Sequence, residues 1–472
     1  MNNTYPKVKV GEVLELEIDK LVQGGEGLGK YDNFTIFVPQ GLPGDKVEIE
    51  IISVKPSYAR GLIKTIIRES ENRVKPPCPV TKECGGCQWQ ELDYKVQLKT
   101  KETLLIENLI RIGEISEEDI LKAQEPILGM ETPFYYRNKS QFPFVKEDKK
   151  IKGGFYSQHT HKIVEFEKCY IQSDRINFVF RKVRDLLRKF DISIYDEKKG
   201  QGLFRHLIVR HAFVTNQILI GFVTQSGKIP HIHQIISEIT RDFPEVIGIV
   251  QNINDKKNNI ILGEKNINLF GNDFIIEQID HLKFKISLHS FFQINPIQTV
   301  HLYNKVLEYA DLKGNELVLD AYAGAGTIAL WLAKYAEKVF GIEVVKEAVS
   351  DGLENAKING INNFSFKQGK VEEKLPVVLS RNEIDTVILD PPRKGCEDYI
   401  FDAIADNNVK KIIYVSCNPT TLARDTKLII DAGYRLEKFQ PFDMFPQTYH
   451  LETVCLFVRN SQEDFRHELK KD

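Results

Sequence analysis

The chain reads as a multidomain protein with three parts in series: a small β-barrel, a mixed α+β centre and a C-terminal α/β domain on a parallel sheet. Three observations carry this reading. The 472 residues exceed what one ordinary core organises, so two or three domains are expected. Residues 8–67 hold short alternating apolar and polar runs broken by tight turns, the pattern of closely spaced strands. From about residue 298, strand-like and helix-like stretches alternate, and βαβα order makes a parallel sheet with helices on both faces.

The elements follow in order. In residues 1–68, "VLELEIDKLV" alternates, "GGEGLGK" supplies a glycine turn, and "FTIFVP" and "KVEIEIISV" alternate again, which gives an OB-like barrel. "NRVKPPCPV", with prolines at 76, 77 and 79, is a linker. The central domain spans 69–285. It opens with a helix over about 93–113, whose Leu98, Leu105, Leu109 and Ile112 share one face that is expected to pack on the C-terminal domain. The strand-like stretches "LIVRHAFV", "QILIGFV" and "VIGIVQNI" follow, interleaved with two helices. In residues 286–472 the helix "TVHLYNKVLEYA" leads into "ELVLDAY" (strand), "GTIALWLAKYA" (helix), "KVFGIE" (strand) and "KEAVSDGLENAKING" (helix). "TVILDPP" (strand), a helix after 397, "KIIYVSC" (strand) and a further helix complete the alternation, a Rossmann-like order.

Composition narrows the class. Hydrophobic content of 42% and charged content of 28% are ordinary for a globular protein. "MNNTYPKVKV" has no apolar leader, and no apolar run approaches the roughly 18 residues of a membrane span, so a cytoplasmic protein with no membrane partner is expected. A formal net charge of -2 does not mark a nucleic-acid binder. Such binding would rest on local patches, with residues 55–75 and 181–190 as candidates, although charge runs are more often solvated surface. Seven cysteines in a cytosolic chain are not expected to form disulfides.

Chemistry concentrates at strand ends. In "VLDAYAGAGTIAL", Gly324 and Gly326 let the backbone turn sharply and approach a ligand. Gly324-x-Gly326-x-x-Ala329 also fits a dinucleotide fingerprint, a weak signal alone. Glu343 ends the next strand, where a carboxylate can accept both hydroxyls of a ribose. The "LDPPRKG" turn adds Asp390 and two prolines, a pocket wall beside a methyl donor. In "IIYVSCNPTTLARD", Cys417 ends a strand, Asn418 is a good N-cap and Pro419 suits the first helical position. The dipole of that helix favours a thiolate, whereas Cys396 and Cys455 read as buried structural residues. A thiolate beside a methyl donor has a defined use. Carbon 5 of uracil is too weak a nucleophile until a thiolate adds at carbon 6. A general base must then remove the carbon 5 proton, and "PQTYHLETVCLF" offers His450 and Glu452, of which Glu452 is preferred.

These motifs, with the barrel and a cysteine cluster, resemble the RNA uracil-C5-methyltransferase family with an N-terminal TRAM domain, and most closely its bacterial 23S ribosomal RNA branch. The resemblance covers essentially the whole chain through "SFFQIN", "DAYAGAGT", "DPPRKG", "SCNPTTLARD" and "PQTYHLE". It implies Cys417 as nucleophile and Glu452 as base. It further implies S-adenosyl-L-methionine contacts from Gln293, Tyr322, Glu343 and Asp390, beside the glycine turn. In "CPVTKECGGCQW", Cys78, Cys84 and Cys87, with the distant Cys169, suit zinc or an iron–sulfur cluster equally by spacing; the resemblance implies a 4Fe–4S cluster.

A uridine in folded RNA must be extruded to reach a thiol. Phe291 or Phe292 could stack on RNA, and "FYYRNKSQF" offers Arg137 and Lys139. The expected partner is 23S rRNA, with no DNA, and the expected state a monomer. The tRNA T-loop uridine is the alternative substrate, because the tRNA branch typically lacks barrel and cluster while a few relatives with both act on tRNA. An NAD-linked Fe–S oxidoreductase and a non-catalytic RNA-binding Fe–S protein are readings from other classes; "DPPRKG" and the position of Cys417 speak against them.

Overall fold

The computed structural model describes residues 8–158 and 160–460. The N-terminal unit is one six-stranded sheet in the spatial order Val13–Glu17, Lys46–Val54, Tyr58–Arg68, Phe34–Val38, Gly27–Tyr31, Lys20–Leu21. Alternation puts Leu14 and Leu16 inside with Ile36, Val38, Val47, Ile49 and Ile51. Each such side chain contributes about 1.5–3 kcal/mol on burial.

Both basic stretches are largely spent on internal ion pairs. Arg60, Lys64, Arg68 and Arg73 pair with Glu26, Glu50, Glu17 and Asp45. On the helix Asp174–Lys189, Lys182 and Lys189 meet Glu238, Arg184 meets Glu167 and Arg188 meets Glu165.

The central sheet has seven strands, ordered Lys265–Gly271, Val246–Ile253, Ile218–Thr224, Phe204–His211, Lys139–Glu147, Lys150–Tyr156, Ile163–Glu165. The helices Asp174–Lys189 and Ile232–Asp242 share a core with it. The apolar packing does not break at residue 285. The hairpin Phe274–Ile279/Leu282–Ser287 puts Ile275, Phe284 and Ile286 into one core with Ile208 and Leu219 of the central sheet and Val318 and Ile328 of the C-terminal domain. An alternating hairpin has one apolar face, and both neighbours cover it.

The helix Tyr94–Arg111 starts at Asp93, whose side chain accepts from the Lys95 and Val96 amides. Its Leu105 and Leu109 pack with Leu422, Ala423 and Phe439 of the C-terminal domain, while Ile112 stays exposed. One turn carries Lys101, fully buried, whose Nζ donates to Asp443 at 2.6 Å. Removing one partner of such a buried pair costs about 3–5 kcal/mol, so the helix is anchored to residues 443–450, the loop that leads into Glu452.

The C-terminal sheet runs Phe364–Gln368, Lys338–Glu343, Leu317–Asp320, Thr386–Leu389, Lys411–Ser416, Glu452–Arg459, Tyr434–Phe442. All strands are parallel except Glu452–Arg459, antiparallel to both neighbours. The strand order reverses beside Leu317–Asp320, and ligands bind outside the carboxyl ends at such a switch point. The reversed strand matters for chemistry. Ser416 lies opposite Thr453, so the start of that strand, Glu452, comes to the sheet end where Cys417 leaves its own strand.

Candidate active site

A cleft of about 650 Å³ opens at the switch point, and Phe291, Gln293, Tyr322, Gly324, Glu343, Asp390, Cys417 and Glu452 all line it. These residues come from well-separated parts of the chain, and the carboxyl ends of the parallel strands gather most of them. Gly324 has φ 53° and nothing within 4 Å of where a Cβ would stand, so its backbone faces open space. Gly326, at φ 76°, does not line the cleft; it starts the helix Thr327–Ala333, and a Cβ there would meet the Phe364 ring at 3.3 Å. The Glu343 carboxylate accepts from the Gly324 amide at 3.0 Å and the Val345 amide at 2.7 Å. It therefore fixes the glycine turn and leaves lone pairs for a ligand. Asn138 holds the Gln293 carbonyl at 2.9 Å.

Asp320 is a site residue that the sequence reading passed over. It ends the first strand and lines the cleft. One oxygen accepts from the Ala329 amide at 3.1 Å and the other is buried without a partner. Burial, reinforced by Asp390, pushes its carboxyl up to about 8. Burial likewise raises Asp390 to about 7 and lifts Glu452, also beside Asp390, well above the carboxylate range. Like Glu343, Asp320 ends its strand, but only the pairing of Leu317–Asp320 with Thr386–Leu389 brings it beside Asp390. Arg393, from the Asp-Pro-Pro turn, and His450 also line the cleft. Burial drives the His450 imidazole down to about 4, so at neutral pH it carries no charge.

The local structure at Cys417 is as read from sequence. Asn418 accepts from the Thr420 amide at 3.1 Å and Pro419 is the first residue of the helix Pro419–Asp431. The expected ionisation is not. Burial, with Glu452 and Asp390 adding to it, pushes the thiol up to about 11, against a lowering pull from Arg393. A helix end is worth about 0.3–1 kcal/mol, rarely 2, and desolvation beside carboxylates outweighs it. Free enzyme thus holds Cys417 as the thiol. Cys396 and Cys455 are buried.

Phe291 is 70% exposed at the cleft and Phe292 only 5%, so the pair divides into one surface ring and one core ring. Lys139 lies outside the cleft lining; burial beside Arg210 and Arg137 brings its ammonium down to about 7. Arg137 lines a different cavity.

That cavity, about 190 Å³, is lined by Cys78, Cys84, Cys87 and Cys169 together with Arg137, Lys168 and apolar side chains. Asn177 on the helix Asp174–Lys189 clamps Cys169, accepting from its amide at 2.8 Å and donating to its carbonyl at 3.0 Å. Burial and the crowding of the other thiols raise Cys87, and burial takes Cys169 to about 12. Among the described residues no group of three or more His, Cys, Asp or Glu closes tightly enough to hold a metal ion. A polynuclear cluster holds its sulfurs further apart, and Arg137 and Lys168 complement the negative charge that thiolate ligation brings. Four thiols around one cavity are the donor set that a thiolate-ligated centre would use.

A ligand that is cationic and carries a nucleoside answers both the carboxylate-lined cleft and its open glycine turn. By class, the chain is an S-adenosylmethionine-dependent methyltransferase. Residues 93–460 match the tRNA (Uracil-5-)-methyltransferase family and residues 7–64 the TRAM domain; the chain belongs to this family of RNA uracil-5-methyltransferases. It is 45% identical over 452 residues to an uncharacterized RNA methyltransferase of Clostridium tetani (strain Massachusetts / E88), covering 96% of this chain and 97% of that one. A Bacillus cereus (strain ATCC 10987 / NRS 248) protein of the same description is 42% identical, covering 96% and 98%. Among solved structures, the Pyrococcus abyssi tRNA (uracil-54, C5)-methyltransferase in complex with S-adenosyl-L-homocysteine superposes with a TM-score of 0.73 at 25% identity, covering 94% of this chain and 100% of that one. No helix among the described residues is long and apolar enough to cross a membrane.

Proposed function

We propose that this enzyme methylates carbon 5 of a uridine in 23S rRNA, with Cys417 as nucleophile and Glu452 as base. The observation that carries the reading is the meeting of Cys417 and Glu452 in one cleft with Asp390 and the glycine turn. S-adenosylmethionine, when bound, supplies an electrophilic methyl group and a positive charge. Glu343 holds the ribose, and Gln293, Tyr322 and Asp390 line the rest of the cofactor cradle. Cys417 gives up its proton to solvent water as its sulfur bonds to carbon 6, and the double-bond electrons move onto the carbonyl as an enolate. Carbon 5 takes the methyl group as the bond from the methyl carbon to the sulfonium sulfur breaks, leaving S-adenosylhomocysteine as the neutral thioether. Glu452 then removes the carbon 5 proton, the double bond reforms and the Cys417 sulfur leaves. A raised carboxyl is the stronger base once ionised, which suits this last step. Phe291, exposed at the mouth, stacks on the unpaired RNA, where a base–aromatic contact is worth about 1–3 kcal/mol.

Cys78, Cys84, Cys87 and Cys169 hold a 4Fe–4S cluster, which fixes the loop around Cys84 and takes no part in methyl transfer. Zinc is the runner-up. Anaerobically purified protein should be brown and carry iron and acid-labile sulfide; stoichiometric zinc contradicts the cluster. The enzyme works in the cytoplasm as a monomer.

Barrel and cysteine cluster together favour ribosomal RNA. A second reading, the tRNA uridine at position 54, is favoured by the likeness to the Pyrococcus abyssi enzyme, whose whole length is covered. Mapping 5-methyluridine in 23S rRNA and tRNA from cells with and without the gene decides between them. Loss of a 23S site is expected; loss confined to tRNA supports the second reading and removes the first.

A further inference from the structure

The strands that carry Lys139 and Arg210 also build a second recess. Lys139 pairs with Arg210 and Pro143 with His206. Side chains alternate across a strand, so these four lie on one face of the central sheet. At one end of that face Arg210 donates to the carbonyls of Leu288 and Ser290, next to Phe291 at the cleft. At the other end, four residues and therefore about 13 Å along the strand, a cavity of about 870 Å³ opens between Pro143, Tyr156, Lys162, Tyr195, Arg205 and His206, among others. None of the residues placed above in the cleft lines it.

Consecutive strand residues ordinarily point to opposite faces. Here the register with Ile218–Thr224 slips between Phe204 and His206, and such a bulge re-aims side chains, so Arg205 and His206 line the same cavity. Arg205 is 5% exposed. Its Nη1 donates to the Asn254 and Lys256 carbonyls at 2.7 and 2.9 Å and its guanidinium lies 4.6 Å from the Tyr195 ring centroid, yet Nε has no partner. His206 is 8% exposed and its Nδ1 also lacks a partner. A buried polar atom left unpaired costs about 1–3 kcal/mol, which a ligand would relieve. Lys162 and Lys198 line the recess and stand in no ion pair among the described residues, while the lining carboxylates Asp196 and Glu197 pair with Lys199 and His161.

We infer that this recess is a second nucleotide site, which takes an unpaired residue of the substrate RNA with its base against Tyr156 and its phosphate toward Arg205 and the two lysines. The inference rests on the RNA-methyltransferase reading of the cleft, not on which RNA is modified. An RNA strand is favoured over a free nucleotide because the recess opens only about 13 Å from Arg210, whose carbonyl partners adjoin Phe291 at the cleft. The cysteine loop braces the recess: Phe155 lines the cysteine cavity and Tyr156 the recess, while the Gly85 amide donates to the Tyr156 carbonyl at 3.0 Å and Cys84 bridges to Ser157.

The test uses the full-chain enzyme with unmodified 23S rRNA and tRNA transcripts. Lys162→Gln/Lys198→Gln should weaken binding of the RNA that the enzyme methylates. It should also lower the slope of log K against log salt by up to about 0.7, the share of the one single-strand phosphate that the two lysines face. In the unaltered enzyme a 4-thiouridine photocrosslink should map to the peptides of Tyr156 or Tyr195, and His206→Ala should weaken it. S-adenosylhomocysteine binding, unchanged in both variants, verifies that the fold and cleft are intact. An unchanged slope, or crosslinks confined to other surfaces, overturns the inference. So does binding of UMP or AMP in the recess that RNA fails to displace, which marks a free-nucleotide site. Which transcript gains 5-methyluridine decides the substrate separately, because binding and crosslinking are read without turnover.

Discussion

Cys417→Ala should lose methyl transfer on the order of 10⁶-fold, the scale on which removal of a covalent nucleophile acts, while S-adenosylhomocysteine binding stays within a factor of two or so. The separation follows from geometry. Cys417 follows the strand Lys411–Ser416, and the glycine turn is set by Glu343 through the Gly324 and Val345 amides, which the substitution leaves untouched. The helix behind Cys417 also survives, because Asn418 and Pro419 make its N-terminus. Isothermal titration with S-adenosylhomocysteine and a radiolabelled methyl-transfer assay read the two quantities independently. Residual turnover within tenfold of the unaltered enzyme would remove Cys417 from the reaction.

Glu452→Gln separates the two halves of the reaction. Glutamine keeps the shape but cannot take a proton. Carbon 5 should therefore still be methylated once, with the RNA then held on Cys417. Turnover should fall by about 10²–10⁴-fold, the usual contribution of a general base. A denaturation-resistant protein–RNA band containing one methyl group per complex is the expected result. A variant that turns over normally, or that is dead without the band, places the base elsewhere. Glu452 is 5% exposed and its neighbours in the cleft include Asp390 and Arg393. Glutamine matches the size and shape of the protonated carboxyl that burial favours in the free enzyme, so loss of packing does not account for the predicted defect.

How much of this was legible in the sequence depends on how local the signal was. The Asn-Pro helix start after Cys417, the glycine turn and the Asp-Pro-Pro turn are short-range backbone chemistry, and the structure has them where they were read. The ionisation of Cys417 was not legible. A helix dipole is visible from Asn418-Pro419 alone, whereas the carboxylates that oppose it arrive from two other strands. Asp320 was overlooked because a strand-end aspartate inside an apolar run looks like part of the turn. Only the sheet register shows it facing Asp390. Arg137 and Lys139 were grouped as one RNA-facing stretch, yet their side chains part company, Arg137 into the cysteine cavity and Lys139 onto the central sheet. The border near residue 285 looked clean because the hairpin alternates, and alternation cannot tell which of two domains covers the apolar face.

RNA carrying 5-fluorouridine at the target position tests the account most directly, since fluorine at carbon 5 cannot leave as the proton that the proposed base, Glu452, would remove. Incubated with enzyme and S-adenosylmethionine, it should give a complex that survives denaturation, and mass spectrometry should find the methylated fluoropyrimidine on the peptide containing Cys417. A target RNA that is methylated when unfluorinated but forms no such linkage, or forms it on another residue, contradicts the account.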